Sequence, residues 1–232
     1  MTRALLVCAS AQQGGRELVA ALAPGFDIVI GVDGGAATCF DASVTPQLLV
    51  GDFDSLDPAV LAEATKLGVP VRSYPSDKDE TDLVLAIDEA RSLGVTGLTV
   101  TAATGGRLDH TLGVLAALAG AASLLPSIHE PDLTGWLLSV NGRTSVQVSG
   151  IGATLSIVPF TQMARVSASG VRWPLESADI PGTDTVGISN VVCANDARVT
   201  IEAGVAYVLS PRMHVAPAEE SPRTVSGQDG SD

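Results

Sequence analysis

Short apolar runs alternate with helix-spaced patterns through the first half of the chain. Residues 5–9 read as a buried strand, 14–22 as a helix, and 28–32 as a second strand that stops at Asp33-Gly34-Gly35. Residues 48–50 form a third run, stopping at Gly51-Asp52. Asp57 as N-cap and Pro58 at the first helical position predict a helix over 58–67. A short strand over 69–73 follows. Leu83, Val84, Ile87, Ala90 and Arg91, spaced by threes and fours, predict a helix over 81–93. Residues 98–102 read as a strand and 112–125 as an Ala/Leu helix. This alternation predicts an α/β domain with a Rossmann-like, mostly parallel sheet covered on both faces, over residues 1–125.

The pattern then changes. Pro126, Pro131 and the polar residues between them predict a linker over 126–133. Beyond it, runs at 135–140 and 143–148 flank Asn141-Gly142, a hairpin signal. Further short strands are expected at 154–158, 165–168, 187–192, 198–202 and 205–209. The second half, 134–212, is therefore expected to be all-β, a sandwich or an open barrel. Residues 213–232 are rich in Pro, Ser, Glu and Gly and read as a disordered tail.

Composition narrows the function. Of 232 residues, 46% are hydrophobic and 17% charged, as in a globular protein. The formal net charge is -13 and no Lys/Arg cluster occurs, which argues against nucleic-acid binding. No apolar run approaches a membrane span, and the short apolar start fits a buried strand better than a signal peptide. Cys8, Cys39 and Cys193 are scattered, without CxxC spacing, which fits a cytoplasmic setting.

The acids of the first half gather where predicted strands end, the place where open α/β sheets bind ligands. Asp52 and Asp54 are two apart, so on an extended segment their carboxylates point the same way. A hard dication such as Mg²⁺ would resolve their repulsion. The alternative is a solvated turn closed by an Asx hydrogen bond. Asp77, Asp79, Glu80 and Asp82 crowd one turn beside Lys78 and Thr81, which favours the metal over a simple helix cap. Gly105-Gly106-Arg107 follows a strand and precedes a helix; there, backbone amides and a guanidinium can hold a phosphate. Asp109 and His110 come next. No GxSxG occurs and no Cys sits near a His, so the set points to phosphoryl-type transfer rather than covalent catalysis.

In order, Val32-Asp33-Gly34-Gly35-Ala36, Gly51-Asp52-Phe53-Asp54-Ser55, Lys78-Asp79-Glu80-Thr81-Asp82 and Gly105-Gly106-Arg107-Leu108-Asp109-His110 resemble the motifs of thiamine pyrophosphokinases. Ser169 to Leu175, with Trp173, and Gly187-Ile188-Ser189-Asn190 resemble two more. The resemblance implies transfer of pyrophosphate from ATP to the hydroxyl of thiamine, giving thiamine diphosphate and AMP. It implies Mg²⁺ at Asp52, Asp54 and Asp82, and ATP along Asp33, Gly34, Lys78, Asp79, Thr81, Gly105, Gly106 and Arg107. Asp109 would lie near the thiamine hydroxyl, and Ser189, Asn190 and Trp173 would line the thiamine pocket. It further implies a homodimer with thiamine between the sandwich of one subunit and the catalytic domain of the other. Two rivals are a diphosphokinase for another alcohol, such as a hydroxymethylpterin, and a nucleotide-binding regulator without catalysis.

Overall fold

The computed structural model describes residues 1–10 and 12–211. The expected tail, 213–232, lies outside the described residues. The first half alternates β1 (Arg3–Val7), α1 (Gly15–Leu22), β2 (Ile28–Val32), α2 (Gly35–Asp41), β3 (Leu48–Gly51), α3 (Pro58–Lys66), β4 (Val71–Ser73), α4 (Asp82–Ser92), β5 (Gly97–Thr101) and α5 (Leu108–Gly120). Strands β6 (Ser127–Glu130), β7 (Leu133–Ser139), β8 (Ser145–Gln147), β9 (Thr154–Pro159), β10 (Met163–Ser169), β11 (Leu175–Pro181), β12 (Asn190–Val191), β13 (Arg198–Ala203) and β14 (Val205–Pro211) complete it.

β1 is the centre of the parallel part, flanked by β2 and β5, and its alternating side chains face opposite layers. Leu6 packs with Leu83, Ile87, Val114 and Leu118 of α4 and α5. Leu5 and Val7 pack with Val19 and Cys39 of α1 and α2. Full burial of each such aliphatic side chain contributes about 1.5–3 kcal/mol. Asp57 caps α3 as its sequence predicts, accepting from the Ala59 N–H at 2.9 Å, with Pro58 opening the helix.

The ten-stranded sheet has the order β12-β9-β14-β7-β6-β5-β1-β2-β3-β4, and a second sheet has the order β11-β10-β13-β8. The first sheet is parallel from β6 to β4 and antiparallel from β6 outward to β12. The antiparallel part packs on the second sheet around Leu138, Leu155, Ile157, Val166, Val199 and Val208, a sandwich rather than an open barrel.

Three expectations change. Within 126–133, residues Ser127–Glu130 are not a linker but a strand, parallel to β5 and antiparallel to β7. Its polar Ser127 is satisfied by the Thr99 hydroxyl at 2.8 Å, which is why so polar a segment can be buried. Second, the runs flanking Asn141-Gly142 do not form a hairpin: β7 stays in the first sheet and β8 pairs with β13 in the second. Gly142 is pressed against the Ala122 backbone, where an added Cβ would fall 2.1 Å from its carbonyl oxygen. The turn is closed by its own backbone bonds, Gly142 N–H to Ser139 O at 3.1 Å and Ser139 N–H to Arg143 O at 2.8 Å, and seats against Ala122. Third, the strand expected at 187–192 shrinks to Asn190–Val191.

Candidate active site

The carboxyl ends of the parallel strands open on a cleft of about 600 Å³. Asp33, Asp52, Lys78, Thr81 and Asp82 line one side. Gly105, Arg107, Asp109 and His110 line the other, with Cys8 and Ser10 beneath them after β1. The strand order changes direction between β1 and β5, so the cleft sits at the topological switch point.

One carboxylate oxygen from each of Asp33, Asp52 and Asp82 lies within 4.8 Å of the others. Asp33 follows β2 with φ +48, a left-handed conformation that turns its side chain off the strand line. Asp52 follows β3 directly. Asp82 opens α4, where the helix N-terminus favours its charge. Lys78 neutralises part of this cluster, with Nζ 3.3 Å from Asp52 and 3.1 Å from Asp82. Asp33 Oδ1 is buried and has no hydrogen-bond partner.

Their surroundings shift the Asp33 and Asp52 carboxyls in opposite directions. Burial, assisted by the Asp82 and Asp52 charges and opposed by the Gly34 N–H, pushes the Asp33 carboxyl above its ordinary range. The Asp54 N–H, 3.2 Å away, holds Asp52 below that range, with Lys78 adding to the effect against desolvation. Burial works against the charge of Lys78, but Asp82 and Asp52 outweigh it and raise its pKa.

Asp54 is not brought into the group. Phe53 adopts φ +58, so the two-residue alternation that would align Asp52 with Asp54 is broken. The exposed Asp54 carboxylate instead accepts from the Ser55 hydroxyl at 2.7 Å. Its own N–H closes the Asx-type turn on Asp52. Asp79 is exposed and outside the cleft lining, and Gly34 is the N-cap of α2.

Gly105 and Gly106 have φ +101 and +74, conformations that side-chain-bearing residues rarely adopt, and they make the sharp turn into α5. Arg107 is the N-cap of that helix, and Asp109 lies in its first turn. Arg107 grips Asp109 through Nε at 3.2 Å and Nη2 at 2.6 Å. That guanidinium holds the Asp109 carboxyl down to about 2. Behind the turn lies a second cavity of about 630 Å³, bordered by Gly105, Leu115, Ile128 and Leu209.

The residues of the second half stand elsewhere. Trp173, Ser189 and Asn190 do not line the cleft. Trp173 is 55% exposed, with the Arg172 guanidinium 5.1 Å from its ring centroid, and is no core residue. Asn190 is buried and spent on backbone: Oδ1 accepts from Trp173 N–H (3.1 Å) and Val191 N–H (2.9 Å), and Nδ2 donates to Trp173 O (2.7 Å). Ser189 is exposed with φ +60. Sequence reasoning overlooked Glu130, which is wholly buried and accepts hydrogen bonds from the backbone leading to Gly105. Its signal was a lone acid closing a short run that contains Ile128.

Residues 19–125 match the model of the thiamin pyrophosphokinase catalytic domain, and residues 143–206 match that of the thiamin pyrophosphokinase vitamin B1 binding domain. The chain belongs to the thiamin pyrophosphokinase family. Thiamine pyrophosphokinase of Bacillus subtilis (strain 168) is 27% identical over 182 residues, covering 78% of this chain and 85% of the relative. Thiamine pyrophosphokinase 1 of Arabidopsis thaliana is 28% identical over 167 residues, covering 68% and 62%. In fold, the crystal structure of the Bacillus subtilis enzyme superposes with a TM-score of 0.78 at 23% identity, covering 92% of this chain and all of that one. Thiamin pyrophosphokinase from Candida albicans superposes with 0.75 at 15% identity, covering 91% and 89%. Among the described residues no helix is long and apolar enough to cross a membrane.

Proposed function

We propose that this family member is a thiamine diphosphokinase, moving a pyrophosphoryl group from ATP to the hydroxyl of thiamine and releasing AMP. The observation that carries the reading is the gathering of Asp33, Asp52 and Asp82 beside Lys78 at the strand ends. A hard-oxygen donor set with a buried, unpartnered Asp33 oxygen fits Mg²⁺. Asp33, Asp52 and Asp82 would hold the ion, Asp33 taking the place expected for Asp54. When bound, Mg²⁺ neutralises phosphate charge and makes the β-phosphorus more electrophilic.

The chain's own groups then divide the work. Lys78 and Arg107 hold phosphate oxygens, Arg107 exchanging its grip on Asp109 for one on the nucleotide. The thiamine oxygen forms a bond to the β-phosphorus while the bond from that phosphorus to the α,β-bridging oxygen breaks. Asp109, once released by Arg107, takes the hydroxyl proton, a contribution of about 10²–10⁴-fold. Thiamine is held by Trp173 and Ser189 of a second protomer, because in one protomer these residues lie outside the cleft, while the buried Asn190 fixes the backbone that presents them. The enzyme is thus a homodimer in this reading. The three free cysteines, two of them buried, suit a cytoplasmic setting.

The test is incubation of the full chain with ATP, Mg²⁺ and thiamine, followed by chromatography. AMP and thiamine diphosphate are expected in equal amounts and absent with Asp82→Asn. AMP formed only with a hydroxymethylpterin would overturn the substrate. ATP binding without AMP from any alcohol would favour a regulator.

A further inference from the structure

Glu130 ends β6 with no exposed surface, an unusual place for a carboxylate. Its Oε1 accepts from Ala103 N–H at 2.8 Å, Thr104 N–H at 2.9 Å and the Thr104 hydroxyl at 3.2 Å. Its Oε2 accepts from Ala102 N–H at 2.9 Å. Three consecutive amides between β5 and the glycine turn therefore converge on one side chain from the neighbouring strand. The same segment is tied on its other side. Ser10 N–H donates to Ala102 O at 2.7 Å, and the Gln12 side-chain amide donates to Thr104 O. Ala102 sits at φ +51, which an alanine adopts only where its surroundings impose it.

This geometry separates two sets of backbone donors. The amides of Ala102, Ala103 and Thr104 point back to Glu130 and are committed there. Gly105, which lines the cleft, and Gly106 come next in the chain, followed by Arg107. A shift of the tethered segment would displace all three. We propose that Glu130 is a positioning residue for ATP: by fastening residues 102–104 it fixes the course of the Gly105–Gly106 turn and the point from which Arg107 reaches the phosphates. The inference rests on the cleft being the ATP site.

Charge alone predicts the opposite behaviour. A buried negative charge behind a polyphosphate site repels the ligand, so neutralising it should tighten ATP binding. If Glu130 acts by positioning, neutralising it weakens binding. In Glu130→Gln one oxygen can still accept from Ala103 and Thr104, but the amide nitrogen meets the Ala102 N–H donor to donor.

The experiment uses full-length Glu130→Gln, with amide hydrogen exchange followed by NMR, Mg-ATP binding by calorimetry, and KM for both substrates. Exchange at Ala102 to Thr104 should quicken about tenfold or more. The Kd and KM for ATP should rise about tenfold, with the thiamine KM within about twofold. Unchanged or tighter ATP binding, or equal rises in both KM values, would overturn the proposal. Should Glu130→Gln not fold, Thr104→Val removes only the hydroxyl contact. It should weaken ATP about two- to threefold, and no change would count against the idea. Weaker ATP binding in a protein that never consumes thiamine would leave the positioning role standing and sink the proposed reaction. Wild-type protein that binds no ATP would overturn both.

Discussion

At the ends of β2 and β3 and the start of α4, charged groups crowd together with incomplete hydrogen bonding. Asp33 keeps a buried oxygen without a hydrogen bond, and Lys78 stands between two carboxylates. Around β12 the situation is reversed. Asn190 satisfies its side chain on the backbone of Trp173 and Val191, and what faces outward is apolar: Trp173, Val186 and Ile188. The first region concentrates charge and holds it ready for a charged ligand. The second uses its hydrogen bonds internally and offers shape and hydrophobic surface. In the proposed function these are the phosphate end and the thiamine end of one site, and the contrast implies that they respond differently to substitution.

The largest expected effect tests which acids make up the charged end. Asp52→Asn and Asp33→Asn should each lower kcat by about 10²–10³-fold and abolish Mn²⁺ binding read by electron paramagnetic resonance. Asp54→Asn, whose carboxylate lies on Ser55, should cost far less. If Asp54→Asn is the more damaging, the cluster is wrongly assigned. Next, Trp173→Ala should raise the thiamine KM about tenfold and leave the ATP KM unchanged in steady-state assays. A rise in both would erase the division of labour. Asn190→Ala leaves two backbone N–H groups without their acceptor and should cost about 1–3 kcal/mol in chemical denaturation. A loss of thiamine affinity with no loss of stability would show that Asn190 faces the ligand instead.

The smallest effect concerns Asp109. Arg107 stabilises its charged form, so the carboxyl stays ionised down to about pH 2 in the free protein. Removing the cation must raise that pKa. In Arg107→Gln, a ¹³C NMR titration of Asp109 should therefore move upward, toward the ordinary value of about 3.9. An unchanged midpoint would mean that the neighbouring His110 N–H, at 2.9 Å, holds the charge alone.

The strand-end clusters were legible because Asp and Gly interrupt apolar runs abruptly, and in a parallel sheet every such interruption falls on one edge. Placing Asp33 among the three acids was not legible. It depends on two left-handed residues, Asp33 itself and Phe53, and period-two reasoning assumes extended backbone throughout. β6 was hidden by Pro126 and Pro131 at its borders and by polar residues whose partners, Thr99 and the 102–104 amides, are distant in sequence. β11, Leu175–Pro181, escaped for a different reason. It is an edge strand with one buried residue, Ile180, and a register shift between Val166 and Ala168 of its neighbour, so no apolar alternation marks it. α2 is only seven residues long and starts in a Gly-Gly pair that reads as a turn.

β6 joins the parallel and antiparallel parts of the large sheet, bonded to Thr99 and Val100 on one side and to Leu133 through Trp136 on the other. Its backbone ladder continues through the seam, with Thr99 and Val100 paired to Ser127 and Ile128 on the parallel side and four residues paired on the antiparallel side. Bending one against the other would require stripping strand bonds in the interior of the sheet. Side chains and strand-end loops lie outside that ladder and can move without breaking it. The ladder thus ties the strand-end acids and the β12 region into one continuous sheet, an arrangement set when the chain folds.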